Sequence, residues 1–362
     1  MSTPAFKQSL QMGWNETACR ELIRRGSKSF YAASLLLPQR VRKPAYALYA
    51  FCRLSDDAVD AKDAPADAVA RLRERLDLAY ADTPKAIPAD QAFADMVKSY
   101  AMPKALPEAL LEGLEWDSEG WGPETFSDVC AYSARVASAV GAMMTVIMGV
   151  RDPGTLARAC DLGVAMQLTN IARDVGEDAR NGRIYLPRQW LREAGVDPEA
   201  FLANPVFDAR IAACVERLLG EAESLYDRSL AGIGELPADC RPAIHAARKI
   251  YREIGRKLAQ QGYNSVDQRA VVSKGRKLAL LGEAMKAAVW PAPTLVAPPL
   301  DETRFLVEAV PSAPQPGTPS TSGDVKSVER AFELLEELAN RERAQQMAGR
   351  QADGSPSPSQ PV

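Results

Sequence analysis

The most informative segment of the chain is QLTNIARDVGED, which runs from Gln167 to Asp178. Asn170, Asp174 and Asp178 recur in it at every fourth position, so an α-helix would carry all three oxygen-bearing side chains on one stripe. Apolar residues that favour burial are interleaved with this stripe: Leu168, Ile171 and Val175. The pattern predicts a long helix with an acidic stripe set into the interior, because a solvated face would not need these apolar neighbours.

A shorter acidic pattern, RLSDDAVD, occupies residues 53–60. Asp56 and Asp60 lie about one helical turn apart, so their charges converge on one face and repel each other unless a cation lies between them. Two interpretations stay open for this pair taken alone: a solvated acidic face, or a site for Mg²⁺ or Mn²⁺. A hard ion of this kind is held by one or two carboxylates, retained waters and phosphate oxygens.

The two acidic stripes can serve one site if their helices face each other across a bundle, where helical proteins build metal sites. The metal ligands predicted on this basis are Asp56, Asp60, Asn170, Asp174 and Asp178. Arg53 and Arg173 adjoin the two stripes and would add cations for phosphate oxygens. A diphosphate with bridging metal ions is the ligand that explains both sets.

The rest of the chain shows helical periodicity almost throughout, and runs of alternating β-type residues are hard to find. The sequence therefore predicts an all-α protein. The predicted helices are 16–25, 43–60, 66–81, 90–100, 107–112, 126–149, 155–181, 188–194, 208–232, 241–262 and 273–288.

Composition excludes several classes of function. The chain has 44 basic and 47 acidic residues and a net charge of −3, which argues against a general nucleic-acid binder. His245 is the only histidine, so histidine-rich zinc sites and Ser-His-Asp catalysis lose most of their candidates.

Six cysteines scattered singly are typical of reduced thiols in a cytosolic chain. Residues 1–25 lack a continuous apolar region, and we expect a cytoplasmic protein.

The segment from Val129 to Val150 is the most apolar in the chain, with Arg135 as its only charge. Its length would allow it to span a bilayer. Small residues such as Ser138 and Gly141 are interspersed, however, and these let neighbouring helices approach or leave room for a ligand. We therefore predict a buried central helix.

The chain changes character at Pro291, where eight prolines begin to recur up to Pro319. We predict a globular body over 1–288, a Pro-rich linker over 289–323 and a disordered tail over 349–362. Between them, 324–348 has apolar residues at helical spacing and is an amphipathic helix candidate.

Several motifs resemble the squalene/phytoene synthase family of head-to-head prenyl transferases, which are class I isoprenoid synthases. The similar stretches are SKSFY at 27–31, residues 49–60, YSARVASAVG at 132–141, the long signature from 162 to 187, YREIG at 251–255 and the region of Arg269. Together they extend over roughly 15–288. GRIYLP and YREIG are most similar to the bacterial phytoene synthases.

This resemblance implies a single-domain helical bundle around a central cavity. It also implies a reaction: two geranylgeranyl diphosphates condense to a cyclopropylcarbinyl (prephytoene) diphosphate, which rearranges to phytoene with release of both diphosphates. The alternatives are a squalene, hydroxysqualene or diapophytoene synthase acting on farnesyl diphosphate, and a non-catalytic scaffold of the same fold. We expect Mg²⁺ or Mn²⁺ and no NADPH, peripheral contact with the cytoplasmic membrane, and carotenoid-pathway enzymes as partners.

The resemblance further implies roles for individual residues. Catalytic roles fall on Asp56, Asp60, Asp174, Asp178, Tyr49 and Arg53. Substrate-binding roles fall on Ser27, Lys28, Ser29, Gln167, Asn170, Arg173, Tyr185, Tyr251 and Arg269. The candidates for the cavity wall are Val136, Ala137, Gly141, Leu168 and Ile171.

Alternatives stay open for some of these residues. The final proton could go to released diphosphate or to a tyrosine such as Tyr49 or Tyr251. The tyrosines could equally be packing residues, and Ser27 and Ser29 could cap a helix. Many relatives carry an aromatic residue or His at the position of Arg135. In this chain, the Arg135 side chain would contact a diphosphate or extend to the end of its helix.

Overall fold

The structure is a computed structural model that describes residues 19–24, 28–60 and 65–312, with the backbone alone for 28–30. Ser27, the amphipathic candidate at 324–348 and the tail at 349–362 lie outside the described residues. Every regular element in the described part is helical, which confirms the predicted all-α class.

The helices follow one another with short connections. They are α1 (Lys28–Ser34), α2 (Gln39–Asp60), α3 (Ala68–Tyr80), α4 (Pro88–Tyr100), α5 (Ala105–Ser118), α6 (Phe126–Ile147), α7 (Pro153–Arg180), α8 (Arg188–Glu193), α9 (Pro198–Ala203), α10 (Ala209–Glu235), α11 (Arg241–Gln260), α12 (Lys274–Ala287) and α13 (Arg304–Glu308). The pattern analysis did not predict α1, α9 and α13, which are too short to show a clear period.

Polar caps fix where the central helices begin. The Thr125 hydroxyl accepts the backbone N–H of Asp128, and the Asp128 carboxylate accepts the N–H of Thr125, a capping box for α6. The Asp152 side chain accepts the N–H of Thr155 at the start of α7, where Pro153 takes the first helical position. Asp208 caps α10 in the same way.

The centre of the molecule is α7, which packs against α6, α10 and α11. Where α6 and α7 cross, a Cβ on Gly163 would lie only 2.6 Å from the Cα of Ser138, so only glycine allows this approach. The Ser138 hydroxyl donates to the carbonyl of Cys160 across the same contact. Here α6 widens into a π-helical turn from Ala134 to Ser138, a distortion frequent at functional sites.

Helix α6 is the one helix of the described chain that is long and apolar enough to cross a membrane, yet 67% of its most apolar window is buried inside the fold. Val129, Ala134, Met143 and Ile147 have essentially no exposed surface. The predicted buried central helix is therefore confirmed.

Packed chain continues past residue 288, the predicted end of the body, into the Pro-rich stretch. Residues 289–300, named the strap here, run without helix along the body. Arg158 donates to the carbonyls of Ala297 and Pro298. Beyond the strap, Leu306 and Val310 are buried. The prolines prevent a helix from forming in the strap, but they do not prevent the chain from packing on the body. Side chains of the body can donate hydrogen bonds to the carbonyl groups of the strap.

Candidate active site

An apolar cavity of about 320 Å³ lies inside the bundle, lined by α1, α2, α6, α7, α10 and α11. Along α7 the lining extends from Thr155 and Arg158 to Gln167 and Asn170. Fifteen residues of helix span about 22 Å, so the cavity is long and narrow. Its wall is mostly aliphatic.

The predicted wall is correct in part. Val136, Ala137 and Gly141 line the cavity, whereas Leu168 and Ile171 are buried without being among its lining residues. Each of these two follows a lining residue by one position, and one position turns a side chain by about 100° on a helix. They therefore pack into the surrounding core.

Both acidic motifs continue the stripes that line the cavity. On α2 the lining residues Tyr49 and Cys52 lead on at helical spacing to Asp56 and Asp60. On α7 the lining stripe runs through Gln167 and Asn170 and continues as Asp174 and Asp178. The set Asp56, Asp60, Asn170, Asp174 and Asp178 is named the acidic mouth here.

A direct link joins the two sides of the acidic mouth. Arg183, five residues after Asp178, places both Nη1 and Nη2 3.0 Å from Oδ1 of Asp60. The backbone N–H of Arg183 also donates to the carbonyl of Asp178. The two acidic stripes therefore lie at the same end of the bundle.

Burial and like charges disfavour ionisation in the mouth. Burial, reinforced by Asp60, raises the pKa of Asp56 to about 6. Burial, reinforced by Asp174 and Glu177, raises the pKa of Asp178 to about 7. These raised pKa values indicate that too little positive charge surrounds the two carboxylates. A bound cation would supply that charge.

Arginines pair with carboxylates on both sides of the mouth. Arg53 pairs with Asp56 at 3.2 Å and with Asp57 at 2.5 Å. Asp174 accepts from Arg173 and from Arg269. The three predicted cations therefore stand at the mouth, where guanidinium groups can bind phosphate oxygens.

The residues at the mouth fit a hard divalent cation. Their donor atoms are carboxylate and amide oxygens, the ligands that Mg²⁺ prefers. Among the described residues, no group of three acidic, histidine or cysteine side chains converges closely enough to enclose an ion by protein atoms alone. Waters and phosphate oxygens would have to complete the shell, as is usual for Mg²⁺.

The predicted tyrosines divide into two groups. Tyr49 and Tyr251 line the cavity, and burial raises the pKa of Tyr49. Tyr185 is not among the lining residues, and its hydroxyl donates to Asp117 at 2.6 Å. The structure thus brings two of the three to the cavity and gives the third a partner in the protein.

Two of the remaining predicted substrate residues line the cavity. The Asn170 amide donates to the Gln167 side chain at 3.3 Å, and both line the wall. The backbone of Lys28 and Ser29 begins α1, and Ala33 and Ser34 at the end of that helix line the cavity.

Arg135 and His245 have structural surroundings. Arg135 pairs with Glu112 at 2.9 Å and lies over the Trp116 ring, 4.2 Å from its centroid. This packing, apart from the mouth, favours the second interpretation of Arg135, an extended side chain rather than a diphosphate contact. His245 is buried, and burial lowers its pKa to about 4.

Sequence reasoning missed three residues beside the mouth. Tyr132 and Arg183 lie inside recognised motifs, but no sequence pattern indicates a partner for either residue. Asp117 accepts the hydroxyls of Tyr132 and Tyr185, and it lies in no motif. Only the folded chain reveals that α5 brings this carboxylate there.

An all-helical bundle whose apolar cavity opens between two aspartate-bearing helices defines an isoprenoid synthase architecture. Solved structures agree. A dehydrosqualene synthase aligns with a TM-score of 0.70 at 33% identity, covering 76% of this chain and 97% of that one. A squalene synthase from Alicyclobacillus acidocaldarius aligns with a TM-score of 0.65 at 25% identity, covering 70% and 97%.

Sequence comparison gives the family. The model of the squalene/phytoene synthase family matches residues 23–276. A phytoene synthase of Cereibacter sphaeroides is 57% identical, covering 83% of this chain and 89% of its own length. A phytoene synthase of Rhodobacter capsulatus is 54% identical, covering 80% and 88%. The chain belongs to the squalene/phytoene synthase family.

Proposed function

We propose that the protein is a prenyltransferase that makes phytoene. It joins two molecules of geranylgeranyl diphosphate through a cyclopropylcarbinyl diphosphate and releases two diphosphates, and the carbon skeleton loses one proton in each of the two half-reactions. The observation that carries the proposal is a long apolar cavity ending at an acidic mouth, in a chain more than half identical to two proteins named phytoene synthase.

The acidic mouth binds the diphosphate end of the substrate. Its five residues would hold Mg²⁺ or Mn²⁺, and the bound ion would supply Lewis-acid neutralisation of the leaving diphosphate. Arg53, Arg173 and Arg269 can exchange a carboxylate partner for a phosphate oxygen, because guanidinium groups bind both in the same planar geometry.

The cavity protects the cation that remains after ionisation. Val136, Ala137 and Gly141 present no nucleophile, and an enclosed apolar wall keeps water away from the reacting carbons. Released diphosphate, Tyr49 and Tyr251 are the candidates for the final proton acceptor. Since burial raises the pKa of Tyr49, this tyrosine stays neutral and can pass a proton only if its own proton moves on.

A second candidate function is dehydrosqualene (diapophytoene) synthesis from farnesyl diphosphate. The structural similarity to a dehydrosqualene synthase favours it. Product analysis distinguishes the two functions: purified protein is incubated with Mg²⁺ and either diphosphate, with and without NADPH. We expect a C40 hydrocarbon from geranylgeranyl diphosphate without NADPH. A C30 product alone would assign the second function, and an absence of metal-dependent diphosphate release from both would indicate the non-catalytic scaffold.

We also propose peripheral association with the cytoplasmic face of the membrane, where other carotenoid-pathway enzymes could receive the product. Val289, Trp290 and Val296 of the strap are exposed, and the strap lies over Arg158 at the far end of the cavity. Aromatic and aliphatic side chains of this kind partition to a lipid surface. Cosedimentation with phosphatidylglycerol/phosphatidylethanolamine vesicles should fall when Trp290 and Val296 are both changed to Ser. Equal binding of the variant would exclude this surface.

A further inference from the structure

Asp117 lies at the C-terminal end of α5, outside both acidic motifs, and accepts two tyrosine hydroxyls. Tyr132 of α6 donates to Oδ2 at 2.8 Å, and Tyr185 donates to Oδ1 at 2.6 Å. Both tyrosines are buried, so each hydroxyl requires an acceptor inside the protein. A single carboxylate satisfies both.

The ring of Tyr185 is also held by stacking. Its centroid lies 5.1 Å from that of Tyr132 at an interplanar angle of 20°. Tyr132 in turn stacks on Trp121 at 5.6 Å. The hydroxyl and the ring of Tyr185 are therefore fixed by α5 and α6, although Tyr185 itself belongs to the connection between α7 and α8.

This connection, residues 181–187, carries Arg183 to the acidic mouth. Arg183 binds Asp60 with both terminal nitrogens at 3.0 Å. The Arg183 side chain is 33% exposed and that of Asp60 is 48% exposed, and a pair this exposed contributes little by itself to ordering a long side chain. The anchor two residues later at Tyr185 supplies the order that the ion pair lacks.

We propose that Asp117 is a positioning residue for the diphosphate end of the site. By accepting the Tyr132 and Tyr185 hydroxyls, it fixes residues 181–187 and keeps the Arg183 guanidinium beside Asp60, where it can bind a diphosphate oxygen. Asp117 does not line the cavity and acts through Tyr185. The diphosphate part of this inference rests on the proposed function.

Two substitutions separate this role from simple packing. Asp117→Asn keeps the shape but turns one of the two acceptor oxygens into an amide donor, so the two hydroxyls lose their shared acceptor. Tyr185→Phe removes one hydroxyl and keeps the ring. Asp90→Asn is the matched control, because Asp90 is a buried carboxylate paired with Arg75 at 2.5 Å on a different helix.

The first measurement is the affinity for inorganic diphosphate with Mg²⁺ by titration calorimetry. We expect Asp117→Asn to weaken binding about tenfold, as loss of a residue that orients a ligand does, and Asp90→Asn to leave it unchanged. In the Arg183→Gln background, Asp117→Asn should cause no further loss, since both changes remove the same interaction. Unchanged affinity in Asp117→Asn, or full additivity with Arg183→Gln, would overturn the proposal.

The second measurement needs no ligand and stays decisive if the wild-type protein fails to bind Mg²⁺-diphosphate, a failure that would count against the proposed function. Amide hydrogen exchange of residues 181–187 should accelerate about tenfold or more in Asp117→Asn and in Tyr185→Phe, because opening of the connection becomes easier. Asp90→Asn should leave exchange in this segment as in the wild type. Equal exchange in all four proteins would refute the positioning role.

Discussion

Asp56 and Asp178 show at the scale of single residues how the fold prepares for a charged ligand. Burial raises their pKa values to about 6 and about 7, with neighbouring carboxylates adding to the effect. Each carboxylate therefore costs stability when it ionises in the ligand-free protein. A site kept at such a cost is typical of function rather than of folding.

Asp178→Asn should accordingly abolish activity without loss of stability. We expect kcat/KM to fall by more than the roughly 10–100-fold that removal of a supporting residue causes. The melting temperature at pH 8 should stay the same or rise, since the amide carries no charge. Asp67→Asn, at the exposed residue that precedes α3, is the control and should change neither quantity. A lower melting temperature for Asp178→Asn would show that the carboxylate stabilises the fold.

The buried imidazole of His245 should make the stability of the protein depend on pH. Burial, with smaller effects of Arg248, Lys249 and Arg241, lowers its pKa to about 4, against about 6.5 in an unfolded chain. The unfolded state therefore binds the proton first, and stability falls as pH decreases from about 6.5 towards 4, by up to about 3 kcal/mol. Urea unfolding of wild type and His245→Gln at pH 7.5 and pH 5 checks this. The variant should lose less stability than the wild type, and equal losses would disprove the role of His245.

At the scale of the element, α7 combines two tasks that place different demands on its faces. One face lines the cavity and ends in the acidic stripe, while the other packs closely on its neighbours. Gly176 lies between Asp174 and Asp178, and a Cβ there would be 2.2 Å from the carbonyl oxygen of Val266 and 2.5 Å from its Cα. The segment bearing Arg269 is thereby held next to the acidic stripe.

Gly176→Ala should destabilise the protein although alanine favours a helix. The added methyl meets backbone atoms that cannot turn away, and overpacking of this kind costs about 1–3 kcal/mol. Gly220→Ala on α10 is the matched control, because a Cβ there meets nothing within 4 Å, and it should stabilise by up to about 1 kcal/mol. Denaturant unfolding measures both. A neutral Gly176→Ala would show that the 264–272 segment can move away freely.

The sequence predicted the long helices well because their signals are local. The predicted 155–181 compares with Pro153–Arg180, and 241–262 with Arg241–Gln260. Side-chain environment was less predictable. Leu168 and Ile171, two of the predicted wall residues, pack into the core instead, and Asp117 carries no local pattern at all. Its hydrogen-bond partners are the hydroxyls of Tyr132 and Tyr185, which lie 15 and 68 residues away in sequence. Only tertiary packing brings them to Asp117.

At the scale of the whole molecule, the strap covers the end of α7 opposite the acidic mouth. Arg158 pairs with Asp161 at 2.7 Å, and both side chains are almost completely buried. The strap covers this charge pair with the carbonyls of Ala297 and Pro298. The number of prolines could not predict this contact, because Arg158 lies more than 100 residues away from the strap in sequence.

Two truncations test where the body ends. Residues 1–312 should fold, keep activity and melt close to the full chain. Residues 1–288 should melt well below it, since they lose Leu306, Val307 and Val310 from the core, each worth about 1.5–3 kcal/mol of burial, and expose the Arg158 pair. Differential scanning fluorimetry compares the three chains. Equal melting temperatures for 1–288 and 1–312 would restore the boundary that the sequence suggested.

A competition assay measures which of the two substrates the cavity selects. The full-length protein receives equal concentrations of geranylgeranyl and farnesyl diphosphates with Mg²⁺ and without NADPH, and the hydrocarbons are analysed by mass. A phytoene synthase should give C40 hydrocarbon as the main product. A predominance of C30 hydrocarbon, or no hydrocarbon while both diphosphates stay intact, would contradict the proposed function.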